Sequence, residues 1–169
     1  VAILKNGVDT SHFDPVHCGL ATTESPELPG VPPDRSAVTL VFTGVMDYAP
    51  NVEAVEWFAD RVFPLVRARH SDARFLVVGN RPTARVNRLG ERAGITVTGF
   101  VEDIRPYLAR ADCCVVPLKL ARGVQNKALE AMAAARPVVL SPGAHEGVRA
   151  VPGVDYLVAD APVDYVEAI

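Results

Sequence analysis

Cysteine is scarce in this chain of 169 residues, and the common metal-binding spacings are absent from it. It has three cysteines, and two of them, Cys113 and Cys114, are adjacent inside an apolar run. That position predicts buried, reduced thiols rather than a disulfide or a pair of metal ligands. The spacings Cys-x-x-Cys and His-Glu-x-x-His do not occur, and neither does Asp-x-Asp. We therefore expect no metal site.

Positive charge is also in short supply, because the formal net charge is −3. This argues against a nucleic-acid partner, whose binding modules usually have a basic surplus. No apolar run approaches the length of a membrane span, and the first residues show no signal-peptide pattern. With 49% hydrophobic and 22% charged residues, the composition is that of an ordinary globular domain.

The chain divides into three parts by composition. Residues 18–37 are rich in Pro, Ser, Thr and Gly, and we expect a loop or mobile segment there. Residues 1–17 are expected to lead in from a preceding domain, and residues 38–169 to form a domain cut short at its end. The chain starts without Met and stops at "DYVEAI", so we expect a fragment of a longer protein.

Apolar runs and helical patterns alternate through residues 38–169. The predicted strands are 38–43, 73–78, 95–100, 112–118, 136–141 and 154–160. The predicted helices lie between them, at 50–70, 83–93, 101–111 and about 126–135. We expect Asn51 and Asn126 to cap helices, Pro64 to kink or divide the first one, and Gly94 to close the second.

Strands that are apolar throughout and alternate with helices predict an α/β fold. The expected form is a doubly wound, Rossmann-like parallel sheet with helices on both faces. Ligands of such sheets bind outside the carboxyl ends of the strands, so the loops there form the candidate site. Three of these loops open with glycine, at Gly44, Gly79 and Gly99. Each glycine either lets a ligand approach the backbone or merely turns the chain.

Cations gather in the loop and helix of residues 118–140, although the chain is acidic overall. Lys119, Arg122 and Lys127, together with the positive end of the helix, would neutralise a diphosphate. Glu130, one turn into the helix, would accept hydrogen bonds from a ribose diol. The alternative is a solvated helix face, on which Lys127 and Glu130 form a pair worth a few tenths of a kcal/mol.

Five stretches of this sequence resemble motifs of one known family, and they follow one another in the family's order and spacing. They are "NGVDTSHF" (6–13), "FTGVMDYAPNVEAV" (42–55), "FLVVGN" (75–80), "VTGFVEDIRPYLARADCCVVPL" (97–118) and "EGVRAVPGVDYLV" (146–158). A sixth, "GVQNKALEAMAAARPVV" (123–139), resembles the donor-binding motif of that family. The family is the retaining GT-B glycosyltransferases of family four, also called glycosyl transferases group 1.

The resemblance implies the C-terminal, nucleotide-sugar-binding half of a GT-B fold. Glu130 matches the family's ribose-binding Glu, Phe100 and Val101 lie on the base side, and Gly44 lies near the diphosphate. The loop residues considered for the sugar side are Gly123, Val124, Gln125, Asn126 and His145. For His145, a place in a polar surface loop is the favoured interpretation. The catalytic groups would lie largely on an N-terminal domain outside this chain.

Two departures from the family concern charge. Arg122 stands where the family has a Glu that contacts the donor sugar. Val45 and Pro50 stand where the family often has an Arg and a Lys that hold the diphosphate. The positive charge of this chain lies instead at Lys119, Arg122 and Lys127, which leaves donor identity open.

The expected activity is transfer of a sugar from a UDP- or GDP-linked donor to an acceptor hydroxyl, with no cofactor. The expected partners are the nucleotide sugar and the protein's own N-terminal domain. The resemblance favours a cytoplasmic bacterial enzyme of polysaccharide biosynthesis, touching the inner membrane face only through parts outside this chain.

A nicotinamide dehydrogenase is disfavoured, because the loop "GVMDYAPN" lacks Gly-x-Gly-x-x-Gly. The remaining alternative is a non-catalytic sugar-nucleotide-binding or protein-interaction module.

Overall fold

Six parallel strands form one sheet in the order β3-β2-β1-β4-β5-β6. The computed structural model describes residues 7–16, 28–33, 36–121 and 123–169. The strands are β1 (Thr39–Thr43), β2 (Arg74–Val78), β3 (Ile95–Gly99), β4 (Cys113–Val116), β5 (Val138–Leu140) and β6 (Leu157–Val158). The doubly wound, Rossmann-like prediction is confirmed, and the two halves of the sheet meet where β1 pairs with β4.

Helices connect the strands and flank the sheet. They are α1 (Thr10–Phe13), α2 (Ala49–Trp57), α3 (Phe63–Arg69), α4 (Ala84–Leu89), α5 (Arg105–Arg110), α6 (Asn126–Ala133), α7 (Pro142–His145) and α8 (Pro162–Ala168). Right-handed crossovers place α2 to α4 on one face and α5 and α6 on the other. The predicted loop 18–37 lies largely outside the described residues, although Val31 within it packs into the core.

The core is made of strands that are buried on both faces. Every residue of β1, β4 and β5 is buried, which explains their continuous apolar sequences. Phe58 packs on Phe75 of β2 with ring centroids 4.8 Å apart, and edge-to-face on Tyr165 of α8 at 5.8 Å. Burying each such side chain contributes about 1.5–3 kcal/mol, so this cluster fixes the helical layer on the sheet.

The first long helix is divided, but earlier than Pro64 alone would suggest. A π-helical turn, Phe58–Val62, separates α2 from α3. Pro64 has no N–H and its ring crowds the carbonyl one turn earlier, and the wide turn just before it makes room for that ring. The N–H of Phe63 accordingly bonds back five residues, to Phe58 O.

Three predictions about helix ends are wrong. Tyr48 precedes α2 with no side-chain cap, and Asn51 lies inside its first turn. Gln125 precedes α6, and Asn126 is the first helical residue. The α4 helix ends at Leu89 and is followed by Gly90, whereas Gly94 leads into β3.

The loops after β1 and β2 are packed against each other through backbone atoms. Gly79 has a φ of +147°, and a Cβ built on it would lie 1.7 Å from Gly44 O. Gly44 N donates to Val78 O at 3.0 Å, and Met46 N donates to Asn80 O at 2.8 Å. Only glycine at position 79 permits this approach.

Gly79→Ala is therefore expected to lower the free energy of unfolding by about 3 kcal/mol or more, measured by urea denaturation. Gly153→Ala is the matched control, because Gly153 also has a positive φ, +80°, but a Cβ added there would meet no atom within 4 Å. The control should cost about 1–2 kcal/mol of backbone strain alone. Equal losses in the two variants would contradict the contact between the loops.

Candidate functional site

A cleft among the described residues lies where the two halves of the sheet meet. It has a volume of about 780 Å³ and opens at the carboxyl ends of β1, β2 and β3, against the first turns of α6. We call it the switch-point cleft. This is the position at which doubly wound sheets bind their ligands. Of the residues singled out in the sequence, it brings together Gly44, Phe100, Val101, Val124, Asn126, Lys127 and Glu130.

One wall of the switch-point cleft carries Lys127, whose ammonium is held from two sides. Lys127 Nζ donates to Asn51 Oδ1 at 2.9 Å and lies 4.9 Å from the centroid of the Phe42 ring. Burial lowers the pKa of Lys127 to about 8, and the nearby Glu130 carboxylate opposes that shift. The ammonium is therefore charged at neutral pH, yet close to its titration point.

Glu130 lies one turn along α6 from Lys127 and lines the same cleft. Burial raises the pKa of the Glu130 carboxyl, and the Lys127 ammonium partly offsets that rise. Lys127 Nζ is hydrogen-bonded to Asn51, so Lys127 and Glu130 act on each other through their charges rather than through a direct hydrogen bond.

The opposite end of the switch-point cleft is apolar. Phe100 is 73% exposed, and Val101 and Ile104 lie beside it. An exposed aromatic ring next to aliphatic side chains offers a stacking surface for a flat ring. Tyr48, 58% exposed, lines the cleft as well.

Other predicted site residues lie elsewhere. Lys119 Nζ sits 5.6 Å from the Trp57 ring centroid, and Lys119 lines a separate cavity of about 220 Å³. His145 Nδ1 hydrogen-bonds Tyr156 Oη at 2.9 Å and does not line the cleft. Gly123 and Gln125 also lie outside its lining, while Arg122 falls outside the described residues.

The sequence reasoning missed Asn51 and Asp47 as lining residues. The sequence predicts a helix cap at Asn51, because Asn is a common cap and the helix begins near it. Its 4% exposure and its bond to Lys127 appear only in three dimensions. Asp47 follows the Gly44 turn and pairs with Arg81 at 2.6 Å, which balances its charge at the mouth of the cleft.

Metal-binding clusters and membrane-spanning helices are both absent from the described residues. No group of three or more His, Cys, Asp or Glu side chains there is arranged to hold a metal ion. No helix in that part of the chain is both long and apolar enough to cross a membrane.

The six-stranded parallel sheet with its flanking helices defines a Rossmann-like α/β domain. Residues 37–169 match the family described as glycosyl transferases group 1, and the chain belongs to that family. The resemblance seen in the sequence motifs is thereby confirmed. Among curated proteins, none matches the chain.

Solved structures share the fold at low sequence identity. HepE of Anabaena, in complex with UDP and glucose, is 16% identical with a TM-score of 0.60, covering 96% of this chain and 44% of that one. Sucrose-phosphate synthase of Thermosynechococcus elongatus is 18% identical with a TM-score of 0.65, covering 96% and 40%. The C-terminal domain of LpcC, a glycosyl transferase group 1 family protein of Francisella tularensis, is 17% identical with a TM-score of 0.60, covering 95% and 85%. The chain thus spans less than half of the first two.

The titration of Lys127 is directly measurable, because the chain has three lysines. After reductive ¹³C-methylation, one dimethyl-lysine NMR resonance should titrate with a midpoint near pH 8. This resonance should be missing from Lys127→Arg and retained in Lys119→Arg. The N-terminal amine is methylated too and titrates in the same range, so it is assigned first and set aside. A dimethyl-lysine titration near pH 8 that survives in Lys127→Arg would then show that the low pKa belongs to another lysine.

Proposed function

We propose that this chain is the nucleotide-sugar-binding domain of a retaining, metal-independent glycosyltransferase. The full enzyme would move a sugar from a nucleoside diphosphate sugar to an acceptor hydroxyl. The observation that carries the proposal is the joint placement of Lys127 and Glu130 in the switch-point cleft. Family membership supports it, and so does HepE, a relative in fold whose structures contain UDP or UDP-glucose.

Each part of the donor has a matching part of the cleft. The diphosphate lies between Gly44, Lys127 and the positive end of the α6 dipole, which offers charge and a close backbone approach. Glu130 accepts hydrogen bonds from the ribose diol. The base lies against Phe100 and Val101. Val124 and Asn126 at the start of α6 face the sugar.

The leaving diphosphate becomes more negative as the bond between its oxygen and the anomeric carbon of the sugar breaks and the acceptor oxygen bonds to that carbon. A fixed ammonium and a helix terminus stabilise that charge without reorganising, so they favour the transition state over the bound donor. This is the basis for proposing metal independence. The neighbouring pair of Asp47 and Arg81 is internally neutral and adds no net repulsion.

Donor binding should show in calorimetry with UDP, GDP and ADP. We expect one of them to bind, and Lys127→Ala to weaken it about tenfold or more, since hydrogen bonds to charged groups are worth about 1.5–3 kcal/mol. The affinity should not change when EDTA is added. Failure of all three nucleotides to bind a folded sample would favour the protein-interaction alternative.

The role of Glu130 has a sharper test, because its proposed partner is the ribose diol. The wild-type chain should bind the ribonucleotide about tenfold more tightly than its 2′-deoxy form, and Glu130→Ala should lose that preference. Glu53→Ala, an exposed carboxylate on α2, is the matched control and should keep it. A preference unchanged in Glu130→Ala would place the ribose elsewhere.

Sugar transfer should require more than this chain. Since the chain spans 44% of HepE and 40% of the sucrose-phosphate synthase, the acceptor side is proposed to lie on the remainder of a longer protein. We expect the 169-residue chain to bind the donor and to give no transfer to acceptor in a radiolabelled-sugar assay. Detectable transfer by the chain alone would overturn this expectation.

A further inference from the structure

Asn51 is a buried polar residue whose side chain has both of its ends occupied. It is 4% exposed and lies in the first turn of α2. Its Nδ2 donates to Val45 O at 2.9 Å, and its Oδ1 accepts from Lys127 Nζ at 2.9 Å. One amide therefore joins the loop after β1 to helix α6, across the seam between the two halves of the sheet.

The fold makes room for this amide. A Cβ at position 44 would come within 2.7 Å of Asn51 Nδ2, so the amide occupies the space that a side chain there would need. The Phe42 ring lies on another side of the ammonium, at 4.9 Å. Lys127 thus reaches the cleft between an aromatic face and a neutral acceptor.

We propose that Asn51 is a positioning residue for the donor diphosphate, acting through Lys127. It aims the ammonium into the switch-point cleft and fixes the Gly44 loop to it, so that the loop and the cation present one preformed surface to the phosphates. This inference rests on the proposed function. An amide suits the task because it orients the ammonium without neutralising it, whereas a carboxylate would compete with the phosphates for the same charge.

The charged groups around Lys127 influence its pKa and therefore the pH at which it loses its proton. Glu130 on its own helix lines the cleft, as does Asp47 of the β1–α2 loop, which is paired with Arg81 of the β2–α4 loop. A hydrogen bond from the ammonium to Asn51 favours the charged form of Lys127. Removing that acceptor should lower the pKa of Lys127 further, while a carboxylate at position 51 should raise it.

The experiment compares binding of UDP with binding of uridine, which lacks the phosphates, from about pH 6.5 to 9. If GDP or ADP proves to be the nucleotide bound, it and its nucleoside replace this pair. The wild-type chain should lose UDP affinity as Lys127 loses its proton. Uridine affinity should change with pH only where the uracil ring itself titrates. The ratio of the two dissociation constants therefore isolates the phosphate contribution.

Two variants should separate positioning from simple packing. Asn51→Ala should weaken UDP binding about tenfold at pH 7, leave uridine binding within about twofold, and move the loss of UDP affinity to lower pH. Asn51→Asp, nearly identical in shape, should also weaken UDP binding at pH 7 but move that loss to higher pH. Opposite shifts in two variants of one residue cannot come from a general loosening of the fold.

Ser141→Ala is the matched control. Ser141 is likewise buried and donates from its Oγ to a backbone carbonyl, that of Leu118, but it lies outside the switch-point cleft. The Ser141→Ala variant should leave the ratio of the UDP and uridine dissociation constants, and its pH dependence, unchanged.

If the Asn51 variants weaken UDP and uridine binding equally, or leave the pH dependence of the wild-type chain in place, the positioning role is wrong. If the wild-type chain binds no nucleoside diphosphate, the proposed function itself fails.

Discussion

The contact between Gly79 and the Gly44 carbonyl is the constraint on which the site depends. It allows two strand-end loops to lie against each other with no side chain between them. Because those loops are close, Asn51 fits beneath Gly44 and reaches Lys127 on the other half of the sheet. The cleft is therefore a product of backbone packing first and of charged side chains second.

Few of the described residues that line the cleft are charged. A single described ammonium, Lys127, is desolvated by burial, lies over the Phe42 ring and is hydrogen-bonded to an amide. Glu130 lies one turn away on the same helix. In a low-dielectric setting one well-placed charge acts more strongly than several solvated ones. This is how the proposed binding of a diphosphate would be possible in a domain that has Val45 and Pro50 at the positions where the family often has cations.

The strands and their order in the chain were predictable, because continuous apolar runs such as those of β1 and β4 occur where both faces of a strand are covered. The grouping of Lys127 with Glu130 followed from helical spacing alone. The role of Asn51 did not, since its partner is 76 positions away and capping rules consider only neighbours. Proximity in sequence predicts that Lys119 lies with Lys127, but in the structure Lys119 lies over the Trp57 ring instead.

The long sequence separation of the Asn51–Lys127 hydrogen bond also bears on folding. The bond exists only once β1 has paired with β4, so a chain with one half of its sheet formed has no assembled cleft. Non-local pairings of this kind form late and slowly. A ligand of the cleft will consequently stabilise the complete fold alone, by mass action, and will leave partly folded states unaffected. The number of binding sites titrated per chain then measures how much of a sample has finished folding.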